Sequence, residues 1–225
     1  MSRKWIACLL LAGLLIGCTM ACSRGSSEIA SMSSSTEEAE TTSPREPGEQ
    51  IVTVSTIDEF LAALNSGTAI HLKEGSYHLD EASDYGKDSD NPAYYWEDIG
   101  DGYQLVLNHL HDLIIEGSGK DVTCLLTSPR YANIISFEGC KRIFLNGFTA
   151  GHTQGGALCT GGVLDFSDSQ EISLSQMGLF GCGIRGVNLY NCRNAAITDS
   201  VIYDCSLSGV DAQGCTSLSI QNSEF

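Results

Sequence analysis

Two carboxylates, Asp165 and Asp211, recur at matched positions in the C-terminal half of the chain. Each lies between apolar neighbours, in Leu164-Asp165-Phe166 and in Val210-Asp211-Ala212. If those neighbours point into a core, the carboxylates between them point outwards, because side chains alternate along a strand. Adjacent stacked strands lie about 4.8 Å apart. Two such steps would separate the strand of Asp165 from that of Asp211, so the two carboxylates would lie about 9–10 Å apart. Hydrolysis of a glycosidic bond with inversion uses carboxylates about 6.5–9.5 Å apart, so Asp165 and Asp211 are the candidate catalytic residues.

The positions around this pair supply a polar outward surface. One column holds Ser136, Asp165, Asn188 and Asp211, and the next holds Glu138, Ser167, Tyr190 and Gln213. A polar surface with an aromatic ring suits a sugar chain, although every repeated strand face offers such residues and many are simply solvated. The candidate substrate-binding residues are Asn188, Tyr190, Arg185, His152 and Trp96.

No cofactor is evident from the sequence. The acidic residues could hold Ca²⁺, which takes oxygen ligands, but no cluster of ligands is recognisable and no other metal is predicted. His109 and His111 fit a pair of surface histidines better than a chelate. No Cys-x-x-Cys pair supports a zinc ribbon.

An internal repeat must position these residues. Val187-Asn188-Leu189 recurs as Val210-Asp211-Ala212, and the same 23-residue shift relates Cys192 to Cys215 and Ile197 to Ile220. Three earlier copies share the inward pattern, beginning near Leu164, Ile135 and Leu105. Each copy is predicted to hold two short strands separated by corners of Gly, Asn, Asp or Ser. Short strands at this period favour parallel strands stacked coil on coil, and the consensus of leucine-rich repeats is absent.

This pattern resembles the right-handed parallel β-helix superfamily of pectate-lyase-like proteins. The resemblance covers residues 51–225 and implies an all-β, single-stranded right-handed parallel β-helix with a short N-terminal capping α-helix. That superfamily hosts lyases, hydrolases, epimerases, adhesins and inert scaffolds, so the fold does not identify the activity. A lyase would imply Asp ligands to Ca²⁺ and a basic residue that takes a proton, for which Arg185 and His152 are the nearest candidates.

A helix is expected just after residue 51. Thr56 and Glu59 have the spacing of a capping box. Ile57, Phe60, Leu61 and Leu64 then fall on one face of a helix, and Gly67 is a natural end. This helix would cover the first coil.

Two segments break the repeat. Residues 80–103 form an acidic insertion containing Tyr94-Tyr95-Trp96, whose rings could stack on sugars or pack on the coils. Residues 150–162 are rich in Gly and include His152, but they lack the Gly-Lys-Ser/Thr of a phosphate-binding loop. Insertions on one side of a solenoid often carry the binding function.

The first 17 residues are predicted to be a lipoprotein signal peptide. Arg3 and Lys4 precede an apolar stretch of 12 residues, Trp5 to Ile16, which is too short for a spanning helix of about 20 residues. Leu15-Ile16-Gly17-Cys18 resembles the lipobox of bacterial lipoproteins and implies lipid attachment at Cys18; Cys22 and an ordinary secretory signal are the alternatives. Residues 18–50, rich in Ser, Thr and Glu, are predicted to be a disordered tether.

Charge and cysteine content limit the function further. The chain has 12 Lys+Arg and 28 Asp+Glu, a formal charge of −16, which argues against nucleic acid as a partner. The seven cysteines of the domain fit buried free thiols, because Cys140, Cys192 and Cys215 share an inward column with Leu110 and Ser169. Disulfides remain the alternative in an exported protein.

The expected protein is anchored by lipid in the cell membrane or envelope, outside the cytoplasm, and binds polysaccharide along its outward strand face. A polysaccharide lyase or glycoside hydrolase, and a non-enzymatic adhesin or scaffold, are the alternatives, so the sequence leaves enzymatic activity open. It also leaves the oligomeric state open. Phe225 falls in mid-coil, so we expect the domain to be truncated there.

Overall fold

The computed structural model describes residues 50–153, 159–181 and 183–225. The predicted signal peptide, the tether up to residue 49 and Cys18 lie outside the described residues. Within them, the strands form three sheets and one α-helix precedes most of the coils. No helix in these ranges is long and apolar enough to cross a membrane.

Each sheet takes its strands from successive coils. Sheet I contains, in spatial order, β1 (Gln50–Val54), β2 (Thr68–Leu72), β6 (His111–Gly117), β9 (Lys141–Asn146), β12 (Gln170–Ser175), β15 (Arg193–Thr198) and β18 (Thr216–Gln221). Sheet II contains β3 (Gly75–His78), β7 (Thr123–Thr127), β10 (Thr149–His152), β13 (Gly178–Phe180) and β16 (Val201–Tyr203). Sheet III contains β4 (Tyr94–Asp98), β5 (Tyr103–Asn108), β8 (Ile135–Glu138), β11 (Leu164–Ser167), β14 (Arg185–Tyr190) and β17 (Ser208–Gln213).

The chain visits the three sheets in turn, which makes the fold a parallel β-helix. From β6 onwards it runs through sheets I, II and III in every coil, and each strand pairs in parallel with its counterpart in the next coil. The register matches the predicted repeat, since Leu105, Ile135, Leu164, Val187 and Val210 are successive partners. The predicted fold class is confirmed.

Each coil has three strands, where two were predicted. In sheet II, β13 and β16 have only three residues each. A segment of three residues is too short to show an alternating pattern.

The core is the stack of inward side chains from all three sheets. In sheet III the rings of Phe137 and Phe166 lie in successive coils, stacked with centroids 4.5 Å apart. Leu145, Leu174 and Ile197 stack in the same way in sheet I, and all are buried. Burying one such side chain contributes about 1.5–3 kcal/mol relative to leaving it exposed, so the repeated apolar columns stabilise the solenoid.

The corner between sheets III and I turns through a left-handed residue. Gly139, Asp168, Asn191 and Gly214 occupy it in successive coils, with φ between +50° and +67°. Gly, Asn and Asp adopt this conformation more readily than other residues. The Asn191 side chain also donates a hydrogen bond to Asp168 Oδ1 across the coils, at 3.2 Å. These requirements explain why Gly, Asn and Asp recur at the corners.

A column of Ser and Cys follows that corner on the inside. Ser169 Oγ accepts a hydrogen bond from the backbone N–H of Cys140 at 2.9 Å and donates to Ser167 O at 2.9 Å. The backbone N–H of Cys192 lies 3.4 Å from Cys215 Sγ in the same arrangement. Small polarisable side chains therefore satisfy backbone groups that the turn leaves unpaired.

Most described cysteines are free, as expected, but one is not. Cys140 and Cys192 are buried free thiols, and burial raises the pKa of both to about 11. Cys124, Cys205 and Cys215 are also free and half-buried. Cys159 is disulfide-bonded, so the interpretation that all domain cysteines are free thiols is wrong at this position.

The helix α1 (Ile57–Ala63) forms where it was predicted. Thr56 Oγ1 accepts from the backbone N–H of Glu59 at 3.2 Å, as in a capping box. The Glu59 carboxylate bonds instead to the backbone N–H and hydroxyl of Ser55. Phe60 and Leu61 are buried against the first coil.

The acidic insertion folds back onto the solenoid. Its strand β4 pairs with β5 in antiparallel fashion and covers the edge of sheet III. Trp96 is 9% exposed, and its ring packs edge-on against Tyr85 and Tyr94 with centroids 5.1 and 6.2 Å apart. Of the two alternatives for these rings, packing therefore holds for Trp96.

Candidate functional site

The candidate site is the outer face of sheet III. One column of side chains on this face runs through Val106, Ser136, Asp165, Asn188 and Asp211, which are successive partners in β5, β8, β11, β14 and β17. A second column runs beside it, through Asn108, Glu138, Ser167, Tyr190 and Gln213. The predicted columns lie side by side in the predicted register.

Asp211 is held by an ion pair. Arg185 Nε donates to Asp211 Oδ2 at 2.6 Å, and both side chains are about two-thirds or more buried, at 30% and 24% exposure. Arg185 begins β14, one coil before Asp211, so its side chain reaches along the outer face to the neighbouring strand. A guanidinium in this position fixes the orientation of the carboxylate and keeps one charged pair on the face.

Asp165 is held by an amide. Asn188 Nδ2 donates to Asp165 Oδ1 at 2.5 Å. Burial raises the pKa of Asp165 above its usual value; the Asn188 hydrogen bond opposes this, and the negative charges of Glu138 and Glu97 add to it. A carboxyl group in such surroundings retains its proton to higher pH than an exposed aspartate does.

A chain of amide hydrogen bonds extends the face towards β4. Gln104 Nε2 donates to Glu97 Oε2 at 2.6 Å, and Gln104 Oε1 accepts from the backbone N–H of Asn133 at 2.9 Å. Asn133 Nδ2 in turn donates to Ser136 Oγ at 3.1 Å. The side-chain N–H groups of Gln104 and Asn133 therefore donate to other side chains of the protein.

Two tyrosines flank the carboxylates. Tyr190 in β14 is 50% exposed, so much of its ring is open to solvent. Tyr95 in β4 is 38% exposed, and its hydroxyl donates to Glu138 Oε2 at 3.1 Å. Burial raises the pKa of Tyr95 to about 12, and the Glu138 carboxylate adds to the shift, so the hydroxyl stays protonated and can donate.

Five of the seven residues predicted for catalysis or substrate binding meet on this face. They are Asp165, Asn188, Asp211, Arg185 and Tyr190. Asp165 and Asp211 lie two strands apart, which corresponds to about 9–10 Å along the axis.

Two predicted binding residues, His152 and Trp96, are enclosed by the protein instead. His152 ends β10 in sheet II, is 4% exposed, and its Nε2 lies 2.9 Å from Ala132 O. Burial lowers the pKa of His152, which favours the neutral ring. Ala150 and His152 lie in register with Leu125 and Thr127, two buried positions of β7, so both belong to the inward side of sheet II.

Sequence reasoning named Tyr95 as a ring that could stack on sugars, but it missed Glu97, Gln104 and Asn133. A signal for Glu97 exists, because exposed Tyr95 and Glu97 alternate with buried Tyr94 and Trp96. That alternation identifies a strand but not which strand it pairs with. No signal in the sequence pairs Gln104 with Glu97.

No group of three or more His, Cys, Asp or Glu in the described ranges could hold a metal ion. The side chains that act on Asp165 are the Asn188 amide, the carboxylates of Glu138 and Glu97 and the Arg185 guanidinium. The suggestion of Ca²⁺ stays a prediction.

No protein-family model matches the chain, and no curated protein matches its sequence.

Proposed function

We propose that this protein binds polysaccharide along the outer face of sheet III and is held at the cell envelope by a lipid on Cys18. The observation that carries the proposal is the in-register polar column of Asp165, Asn188 and Asp211 beside the half-exposed ring of Tyr190. Sugars offer hydroxyl groups to polar side chains and apolar ring faces to aromatic ones. Adjacent coils repeat these groups about every 4.8 Å, which suits an extended polymer.

Binding to a panel of polysaccharides tests this proposal. The chain from residue 19 onwards, made without lipid, would be titrated with neutral, amine-bearing and acidic polysaccharides by calorimetry. We expect binding to at least one, and a loss of about tenfold in affinity in Tyr190→Ala, since aromatic contacts contribute about 1–2 kcal/mol. Tyr203→Ala is the matched control, because Tyr203 is 45% exposed but lies in β16 of sheet II. No binding to any polysaccharide would contradict the proposal and favour a scaffold or adhesin.

Glycoside hydrolysis is a second candidate, favoured by the unlike surroundings of the two aspartates. The raised pKa of Asp165 suits a general acid, and Asp211, oriented by Arg185, suits a base that activates water. Their separation of about 9–10 Å lies at the upper limit of about 9.5 Å for inversion or just beyond it. A lyase is less well supported, because Arg185 is already paired with Asp211 and His152 is buried.

Release of reducing ends from a bound polysaccharide tests hydrolysis. We expect Asp165→Asn and Asp211→Asn each to reduce the rate by about 10²-fold or more, while Asp168→Asn, at the neighbouring corner, leaves it unchanged. Activity that survives both substitutions would exclude this pair. An unsaturated product would indicate a lyase instead.

A further inference from the structure

We propose that the outer face of sheet III selects glycans without acidic groups and excludes polyuronates. This inference rests on the proposed binding of polysaccharide and names the class of ligand for the same face.

The first argument is the balance of charge on the face. Outward positions of its strands carry Glu97, Glu138, Asp165 and Asp211, whereas Arg185 is the one Lys or Arg in the six described strands. Sheet I differs, since β9 and β15 carry Lys141, Arg142 and Arg193. The excess of negative charge is therefore a property of the candidate face, in addition to that of the whole chain.

The second argument is that the cation on the face is already engaged. Arg185 donates to Asp211 at 2.6 Å. Freeing it for an acidic sugar would leave Asp211 without its partner, which costs more than the new pair gains. A uronate carboxylate would therefore meet repulsion, and no other Lys or Arg of the described strands of sheet III compensates it.

The third argument is the direction of the hydrogen bonds. The donors of Tyr95, Gln104 and Asn188 point at Glu138, Glu97 and Asp165 respectively. The carboxylates keep further lone pairs, because each oxygen accepts more than one hydrogen bond. The face therefore offers acceptors to a ligand that brings donors. Hydroxyl groups and amines are such donors, and a uronate carboxylate is not.

The experiment compares one polymer with and without its charge. The chain from residue 19 onwards, without lipid, would be titrated with a galacturonate oligosaccharide and with its methyl ester, next to glucose and glucosamine oligosaccharides of equal length. We expect the acid form to bind at least about tenfold more weakly than the ester, because like charges brought together disfavour binding. In 1 M salt, where the Debye length falls from about 8 Å to about 3 Å, the difference should shrink.

Two conservative variants test the origin of the selectivity. The double variant Glu97→Gln with Glu138→Gln keeps acceptor oxygens for Gln104 and Tyr95 while removing two charges. We expect it to strengthen binding of the acid form more than that of the ester. Asp121→Asn, on an exposed turn away from sheet III, removes one charge of the chain and should leave the ratio unchanged.

The outcomes separate the two proposals. Equal or tighter binding of the acid form would overturn the selectivity and leave polysaccharide binding standing. No binding to any neutral, amine-bearing or acidic member would overturn polysaccharide binding, and the selectivity with it. A double variant with unchanged selectivity would also overturn the electrostatic explanation.

Discussion

Ser169 shows how one small side chain joins two coils. Its hydroxyl accepts from Cys140 N and donates to Ser167 O, each at 2.9 Å, and it is 1% exposed. Cys215 occupies the equivalent place next to Cys192, where its Sγ lies 3.4 Å from the Cys192 N–H and 3.4 Å from Gln213 O, both longer than the serine contacts. Sulfur can therefore replace oxygen in this column, at the cost of weaker hydrogen bonds.

Replacing Ser169 by Ala should destabilise the fold. The backbone N–H of Cys140 would lose its acceptor in a buried site, which costs about 1–3 kcal/mol. Denaturation by urea measures the change in the free energy of unfolding. Ser173→Ala, half-exposed on the outer side of β12, is the control and should change it by less than about 0.5 kcal/mol. Equal effects of the two substitutions would show that the hydrogen bonds of Ser169 do not contribute.

The raised pKa of Asp165 predicts a dependence of stability on pH. A carboxyl group whose pKa is higher in the folded than in the unfolded chain, where it is about 3.9, stabilises the fold while protonated. That contribution is lost as the pH rises through the folded-state pKa. Asp165→Asn is neutral throughout and keeps an oxygen for Asn188. Its stability relative to the unmodified chain should therefore increase from pH 4 to pH 7.

Unfolding free energies measured across that range check this prediction. Asp121→Asn, on an exposed turn, should show no such trend. A difference between Asp165→Asn and the unmodified chain that stays constant with pH would mean that Asp165 titrates as an exposed aspartate.

At the scale of elements, α1 closes the first coil through contacts at both of its ends. Thr56 caps its N-terminus, and the side chain of Asn91, from the insertion, donates to the carbonyls of Leu61 and Leu64 at its C-terminal end. Carbonyls at a helix end have no partner within the helix. The insertion thus stabilises the helix as well as covering the edge of sheet III.

Thr56→Ala should weaken this cap. Loss of an N-cap hydroxyl costs about 1 kcal/mol, and hydrogen exchange of the α1 amides should rise accordingly. Thr53→Ala, on the exposed side of β1, is the matched control. Unchanged exchange in Thr56→Ala would mean that burial of Phe60 and Leu61 alone holds the helix.

Some elements could be predicted from the sequence and others could not. Leu164 and Phe166 flank Asp165, and this repeated alternation predicted sheet III, its register and the outward column. Two strands of sheet II, β13 and β16, have three residues each and are too short for a pattern. Trp96 was misplaced because an antiparallel pairing outside the repeat decides which way its strand faces. His152 was misplaced because it was assigned to a loop, whereas it ends β10 in register with the buried Thr127 of β7.

At the scale of the whole molecule, we propose separate roles for the anchor and the solenoid. The lipid would fix the chain to a membrane, and the predicted tether, which ends before β1 begins at Gln50, would set its distance from that membrane. Neither role depends on the ligand of sheet III, so each can be tested alone.

Cys18→Ser should release the protein from the membrane. Without the thiol no lipid can be attached, and the chain should move from the membrane fraction to the soluble fraction of cells. Cys22→Ser is the control and should leave it in the membrane fraction. Release by Cys22→Ser alone would identify Cys22 as the lipidated residue.

The regular register has a consequence for how such a protein could evolve. Paired residues in the last coils are 23 residues apart, as Gly178 and Val201 are in sheet II and Val187 and Val210 in sheet III, so a coil of this length adds one strand to each sheet. Contacts in a solenoid are chiefly between neighbouring coils. Duplication of one coil in the gene would therefore lengthen the outer face by about 4.8 Å and leave the existing coils intact. The length of ligand that the face can span would then change in discrete steps with the number of duplicated coils.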